Sequence, residues 1–323
     1  MTDSATHSAI DAVWRIESAK LIAGLTRMVR DVGLAEDLAQ DALVAALERW
    51  PETGVPDNPG AWLMATAKHR AIDAMRRDKL ADRKYDEVGR EMDAERALTA
   101  ADLDAAIDDD VGDDVLRLMF MSCHPVLAPE ARVALTLRLL GGLTTDEIAR
   151  AFLVAEPTIA QRIVRAKRTL RDANVAFEIP RGAARADRLS SVLEVIYLIF
   201  NEGYSATAGD DWMRPELCEE SLRLGRILAG LAPNDAEVHG LVALMEIQAS
   251  RIRARTDTAG EPVLLLDQNR ARWDQLLISR GLAALERAER SSKSAGRYTL
   301  QAEIAACHAR ARIADETDWE RIV

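Results

Sequence analysis

The chain has few cysteines and no long apolar run. Cys123, Cys218 and Cys307 lie far apart among 323 residues and share no CxxC spacing, so we expect neither a disulfide framework nor a zinc site. No eighteen successive residues are apolar, and the N-terminus lacks a basic start followed by an apolar core. A membrane helix needs such an apolar run. A signal peptide needs such an N-terminus. We therefore expect a cytoplasmic protein without a metal or cofactor.

Aromatic residues and strand-like patterns are also sparse. Only 4% of the residues are aromatic, although 48% are hydrophobic, and no convincing run alternates β-branched with polar residues. This composition predicts an all-α protein with no sheet. Turn-rich and acidic stretches divide it into a helical domain at 1–80, an acidic linker at 81–114, a helix-turn-helix domain at 115–175 and a helical extension at 180–323.

A helix-turn-helix pattern occupies residues 144–172. Thr144 and Glu147 have the spacing of a capping box, which predicts a helix start, and Pro157 suits the first turn of a second helix. The buried face of that second helix is predicted from helical spacing as Ile159, Ile163, Ala166 and Leu170.

The outer face of this second helix is polar and basic. Arginine can read guanine, glutamine can read adenine, and the other cations can neutralise phosphates. We therefore interpret the helix as a DNA-binding element. Its candidate contact residues are Thr158, Gln161, Arg162, Arg165, Lys167 and Arg168.

The net charge of −11 is unevenly distributed. Residues 68–84 carry seven Lys or Arg against three acids, and residues 158–172 carry five against one. Nucleic acid responds to the local potential, which salt screens within about 10 Å. Two basic islands therefore allow DNA binding in an acidic chain.

Two amphipathic patterns precede the helix-turn-helix. Residues 35–50 have a polar face that either offers carboxylates to a basic partner or is simply solvated. We place Glu36, Asp37, Gln40, Asp41 and Glu48 on it. After a turn-rich stretch at 56–60, residues 58–77 form a second pattern with a basic end, which suits phosphate, and in it Trp62 is predicted to join the core.

The linker between these patterns and the helix-turn-helix is strongly acidic. Residues 82–114 contain thirteen acids and four bases. Such a charge density suits either a mimic of nucleic acid that occupies a positively charged channel or an ordinary disordered tether.

Three motifs in this order resemble those of bacterial RNA polymerase sigma factors of the extracytoplasmic-function group. They are DLAQDA, NPGAWLMATAKHRAIDAMRR and, after the acidic linker, LTTDEIARAFLVAEPTIAQRIVRAKRTLR. The resemblance covers residues 10–80 and 115–172. It implies a non-enzymatic factor that binds core RNA polymerase and lends it promoter recognition.

The resemblance also implies roles for particular residues. Asp37, Gln40 and Asp41 would engage the clamp helices of the polymerase. Gln161, Arg162 and Arg165 would enter the major groove at the −35 element. The −10 element would be recognised and opened by Lys68, His69, Arg70, Asp73, Arg76 and Arg77.

Residues 180–323 resemble the C-terminal extension of one subgroup of these factors, with paired helices similar to tetratricopeptide units. The extension is expected to regulate activity or to contact polymerase, and its nineteen Arg or Lys against twenty-two acids do not suggest a second DNA-binding module. One cluster forms either a ligand or peptide pocket or a buried aromatic core: Phe200, Asn201, Glu202, Tyr204 and Trp212.

Two other functions compete with this interpretation. A helix-turn-helix repressor or activator could use the C-terminal helices to sense a ligand and dimerise, and would bind a palindromic operator without polymerase. An enzyme housed in residues 180–323 would need a catalytic constellation, and the sequence shows none. Cys123 followed by His124 suggests a nucleophile or a ligand, but no supporting partner is visible.

Overall fold

The computed structural model describes residues 3–86, 111–205, 213–257, 261–292 and 294–323, without the side chains of residues 3–5, 74–86, 111–113 and 183. Within these residues the chain forms thirteen α-helices, short 3-10 turns and no strand beyond one isolated bridge, between Thr256 and Pro262. The all-α prediction is confirmed. The chain divides into two compact units, residues 1–148 with 156–188, and residues 149–155 with 189–323.

The first three helices form a bundle in the first unit. They are α1 (Asp3–Val29), α2 (Val32–Thr53) and α3 (Pro59–Asp86). The Asp31 side chain caps α2 by accepting a hydrogen bond from the backbone N–H of Leu34 at 2.9 Å. The Asn58 side chain caps α3 by accepting a hydrogen bond from the backbone N–H of Ala61. The predicted turn at 56–60 therefore lies where α2 and α3 are joined.

Trp50 anchors this bundle. It lies at the end of α2, is 1% exposed, and meets Trp62 of α3 edge to face with ring centroids 5.3 Å apart. This geometry is favourable for aromatic rings. Trp62 is only half-buried, so it covers the core, with Trp50 inside it.

Four further helices follow: α4 (Val111–Ser122), α5 (Pro129–Leu139), α6 (Thr145–Ala151) and α7 (Glu156–Asp172). All of them belong to the first unit except the last three residues of α6. The buried side of α7 is the predicted one, formed by Ile159, Ile163, Ala166 and Leu170, and it packs against α5. Helix α4 begins inside the stretch that the sequence assigned to the acidic linker. Most of that stretch, 87–110, lies outside the described residues.

The second unit is a helical array around one central helix. It contains most of α8 (Ala183–Tyr204), followed by α9 (Pro215–Leu231), α10 (Ala236–Ala249), α11 (Gln275–Ser291), α12 (Arg297–Arg310) and α13 (Trp319–Ile322). Helix α10 packs against α9, α11 and α12, and eleven of its fourteen residues are buried. In the described part of the chain no helix has the length and apolar character needed to span a membrane.

Candidate nucleic-acid interface

The helix-turn-helix begins with the predicted capping box. The backbone N–H of Thr144 donates to Glu147 Oε2 at 2.7 Å, and the N–H of Glu147 donates to Thr144 Oγ1 at 3.1 Å. Burial alone would raise the pKa of Glu147, but the hydrogen bonds with Thr144 and the charge of Arg15 together lower it. Glu147 is therefore ionised at neutral pH, as the cap requires.

A tight turn separates α6 from α7. Leu153 adopts a left-handed conformation with φ of 49°, and the N–H of Val154 donates to the carbonyl of Ala149 at 3.0 Å. This pattern satisfies a carbonyl at the end of α6. Helix α7 then starts at Glu156, with Pro157 in its first turn, as the sequence predicted.

The outward face of α7 presents the predicted polar residues. Thr158, Gln161 and Arg165 are exposed, and Arg162 is half-buried. Arg162 and Arg165 form no ion pair with any residue that the structure describes. Their guanidinium groups are therefore available to an anionic partner.

Three other cations of α7 are paired. Arg168 lies 3.4 Å from Asp172 in an exposed pair one turn along the helix. Lys167 Nζ lies 2.5 Å from Glu36 Oε2, and Arg171 Nε lies 3.1 Å from Asp31 Oδ2. The last two pairs join α7 to α2 and to the residue that caps it.

Glu36, which the helical pattern placed on the polar face of α2, is buried against basic residues of this same chain. Its side chain is 3% exposed, because Arg138 of α5 and Lys167 of α7 both lie against it. Arg138 Nε donates to Glu36 Oε1 at 2.6 Å, and Gln40 Nε2 donates to the same oxygen at 2.6 Å. Two cations and an amide therefore compensate the burial of this carboxylate.

The other acidic residues of α2 face outward. Asp37 is exposed, and Asp41 is 60% exposed and lies 3.2 Å from Arg70 Nη1 of α3. A predicted polymerase contact and a predicted DNA contact thus meet each other. No sequence pattern predicted this pair, because its members lie on separate helices.

The basic stretch of α3 is only partly described. Lys68 and Arg70 are half-buried, while His69 and Asp73 are exposed. His69 Nδ1 lies 2.7 Å from the carbonyl of Ala65. The side chains of Arg76 and Arg77 lie outside the described residues, although the helix continues through both positions.

The candidate pocket of the extension is largely filled. Phe200 is 1% exposed and stacks on Tyr204 with centroids 5.6 Å apart, and Glu202 forms an ion pair with Arg214. Asn201 is exposed, and Trp212 lies outside the described residues. Phe200 is therefore part of the core, and the half-buried Tyr204 covers it. An open cavity in the same unit is lined by other residues, among them Arg253, Arg272 and Trp273.

The pair Cys123 and His124 is unsuited to nucleophilic chemistry. Burial raises the pKa of the Cys123 thiol to about 11, and burial together with the charge of Arg188 lowers the pKa of His124 to about 4. Burial likewise raises the pKa of Cys218 to about 12. Among the described residues no group of His, Cys, Asp and Glu could hold a metal ion.

Three family models match the chain. Sigma-70 region 2 matches residues 17–80, which form most of α1 to α3, and sigma-70 region 4 matches residues 117–170, which form α4 to α7. A family of unknown function, DUF6596, matches residues 188–289 in the extension. The first two matches coincide with the two candidate DNA-binding helices.

Three similar proteins include two that are named as sigma factors. An uncharacterised protein of Rhizobium meliloti (strain 1021) is 42% identical over 92% of this chain and 70% of its own length. The probable ECF RNA polymerase sigma factor SigI of Mycobacterium tuberculosis (strain CDC 1551 / Oshkosh) is 27% identical over 54% of this chain and 58% of its own length. The ECF RNA polymerase sigma factor SigK of Mycobacterium sp. (strain KMS) is 27% identical over 48% of this chain and 77% of its own. No solved structure matches.

Proposed function

Because the chain belongs to the extracytoplasmic-function group of RNA polymerase sigma factors, we propose that its helices α2, α3 and α7 divide polymerase binding and promoter recognition between them. The observation that carries the proposal is the outward face of α7, where Arg162 and Arg165 have no ion pair among the described residues. An arginine without a carboxylate partner keeps all its donors for guanine or phosphate.

Helix α7 would read the −35 element from the major groove. Gln161 and Arg162 lie on one turn of the helix and Arg165 on the next, so they reach neighbouring base pairs when the helix lies in the groove. Thr158 lies near the helix N-terminus, where a phosphate is favoured. Lys167 and Arg168 would add phosphate contacts along the flank.

Helix α3 would recognise and open the −10 element. Opening requires an unstacked base to be held and the displaced strand to be neutralised. The basic stretch of α3 supplies the charge, and its candidate residues are Lys68, His69, Arg70, Asp73, Arg76 and Arg77.

Helix α2 would bind core RNA polymerase in the cytoplasm. The exposed carboxylates of Asp37 and Asp41, with Gln40 between them, offer acceptors to a basic partner surface. The chain would perform no bond chemistry itself, and the extension would modulate its activity. A repressor that acts without polymerase is not favoured, since both sigma-70 regions match.

In vitro transcription with purified core polymerase tests this proposal. We expect promoter-specific transcripts only when the protein is added, and about a tenfold loss in the double variant R162A/R165A at promoters that depend on a −35 element. The matched control is Arg280→Ala, an exposed arginine of α11, which should transcribe normally. Tight operator binding without polymerase-dependent transcripts would contradict the proposal.

A further inference from the structure

The loop after α10 and the segment before α11 form an open cavity in the second unit. Its volume is about 760 Å³, which lies within the range of small-molecule sites. Met213, Ile252 and Trp273 give the lining apolar surface, and Arg253 and Arg272 give it positive charge. We call this space the arginine cavity. All of its lining residues belong to the second unit.

The two arginines of the lining have no anionic partner among the described residues. The side chain of Arg253 forms no hydrogen bond or ion pair with any of them, and Arg272 Nη1 donates to the carbonyl of Thr256 at 3.2 Å. Both arginine side chains are exposed. Their other N–H donors are therefore available to the oxygens of an anion.

The carboxylate of Asp274, which also lines the cavity, is engaged by α11. Its Oδ1 accepts hydrogen bonds from the backbone N–H groups of Leu276 and Leu277 at 2.9 and 3.1 Å, so that it caps this helix. Within the described residues it forms no ion pair with Arg253 or Arg272. The lining therefore keeps an excess of positive charge.

A buried arginine adds positive charge behind Trp273. Arg251 is 8% exposed, and its guanidinium carbon lies 5.7 Å from the centroid of the Trp273 ring and 6.0 Å from that of Tyr204. Its Nε makes no hydrogen bond, and no carboxylate of the described residues pairs with it. Burial lowers the pKa of Arg251 despite the opposing effect of Tyr204, and the charge of Arg270 lowers it further. The aromatic faces compensate this buried cation only in part, which leaves it able to attract an anion.

Arg270 brings a second buried cation to the same aromatic ring. Its guanidinium carbon lies 5.2 Å from the centroid of the Trp273 ring. Its hydrogen bonds go to neutral oxygens, the carbonyls of His308 and Ala311 and the hydroxyl of Thr317. Two buried cations therefore flank the ring that forms one wall of the arginine cavity, and charges in such poorly hydrated surroundings act strongly on a nearby ion.

This arrangement suits a ligand with a doubly charged end and an apolar body. A phosphate monoester carries a charge of about −1.5 to −2 at neutral pH and has three acceptor oxygens. These oxygens can bind two guanidinium groups at once, because each guanidinium presents its donors as a planar fork. The apolar body would lie on Ile252 and Trp273.

We propose that the arginine cavity binds a small organic phosphate, with the phosphate group held by Arg253 and Arg272 and the apolar body against Trp273. The inference goes beyond the proposed function and does not depend on it, because it concerns ligand binding and not transcription. A ligand that binds only the folded chain also stabilises it.

Isothermal titration calorimetry of the full chain with phenyl phosphate tests this proposal. We expect saturable binding with a Kd below about 1 mM, and at least about a tenfold weaker affinity in the double variant R253A/R272A. The matched control is R280A/R287A, which removes two exposed arginines of α11 outside the cavity lining and should bind like the wild-type protein. No saturable binding by the wild-type protein, or equal affinities for the two double variants, would overturn the proposal.

Two comparison probes separate the parts of the ligand. Inorganic phosphate lacks the apolar body and benzoate lacks the second charge, so each should bind at least about threefold more weakly than phenyl phosphate. Equally tight binding of either probe would contradict the part of the proposal that it lacks. Hydrogen exchange locates the site, because bound phenyl phosphate should protect the amides of residues 252–256 and 271–275. Protection confined to other residues would overturn the assignment to this cavity.

Discussion

Arg70 Nη1 of α3 lies 3.2 Å from Asp41 Oδ2 of α2, with the two side chains 41% and 60% exposed. Exposed ion pairs contribute little to stability, about 0 to 1 kcal/mol. Asp41→Asn should therefore lower the free energy of unfolding by less than about 0.5 kcal/mol, while reducing affinity for core polymerase at least about threefold. Denaturant titration and polymerase binding measure the two effects. A large stability loss with unchanged binding would assign Asp41 a structural role.

Arg162 provides a test of base reading. Arg162→Ala should cost about 1–3 kcal/mol of binding and relax selection at one position of the −35 element. Binding to a set of duplexes with every single base change in that element measures this directly. A uniform loss across all the duplexes, with a lower salt dependence, would make Arg162 a phosphate contact.

Trp50 should dominate the stability of the α1 to α3 bundle. Because the side chain is 1% exposed and is covered by the ring of Trp62, Trp50→Ala should lower the free energy of unfolding by about 3–5 kcal/mol. Trp62→Ala removes the same number of atoms from a half-buried position and should cost less. Equal losses in chemical denaturation would show that Trp62 is as fully enclosed as Trp50.

Stability should fall as the pH is lowered from about 6.5 to about 4. Burial and the charge of Arg188 lower the pKa of His124 to about 4, so the unfolded chain binds a proton in this range that the folded chain does not. His124 Nδ1 accepts from the N–H of Val126 at 3.1 Å, which requires an unprotonated nitrogen.

The pKa of His308 is lowered too, by burial and by the charges of Arg251 and Arg270, so its effect has the same sign. His124→Asn keeps an acceptor near the Val126 N–H and should flatten the pH dependence between pH 4 and 6.5 relative to the wild-type protein. If the wild-type protein and His124→Asn lose unfolding free energy in parallel as the pH falls, His124 makes no such contribution.

Arg270 should be essential to the stability of the C-terminal end of the extension. Its guanidinium is buried and donates to the carbonyls of His308 and Ala311 and to Thr317 Oγ1, at 2.7 to 3.1 Å. Arg270→Met leaves these acceptors without their donor and should cost about 3 kcal/mol or more. Arg270→Lys should restore only part of the lost stability, because an ammonium lacks the planar set of N–H donors of a guanidinium. Thermal unfolding and proteolysis near residue 311 measure the loss.

Local signals in the sequence predicted local structure well. The capping box of Thr144 and Glu147, the position of Pro157 and the four buried residues of α7 are all confirmed. Each depends on residues within about two turns of helix, which the 3.6-residue period relates directly. The family resemblance is confirmed for the same reason, since its motifs are contiguous.

Long-range partners were not predictable in this way. The sequence placed Glu36 on a polar face but did not predict its burial, because the helical pattern of α2 contains no information on Arg138 or Lys167, which are more than 100 residues away. The sequence left Phe200 between a pocket and an aromatic core for a similar reason, since its stacking on Tyr204 depends on how α8 ends. The roles of the polymerase and DNA contact residues stay predictions.

The enclosure of α10 by α9, α11 and α12 determines how the extension can be dissected. A deletion that ends between these helices would leave a wide apolar surface in water, and such surfaces promote aggregation. Shortened proteins made to study the extension should therefore omit the whole array. Amide hydrogen exchange should be slowest in α10, because its backbone opens only when the array unfolds as a unit.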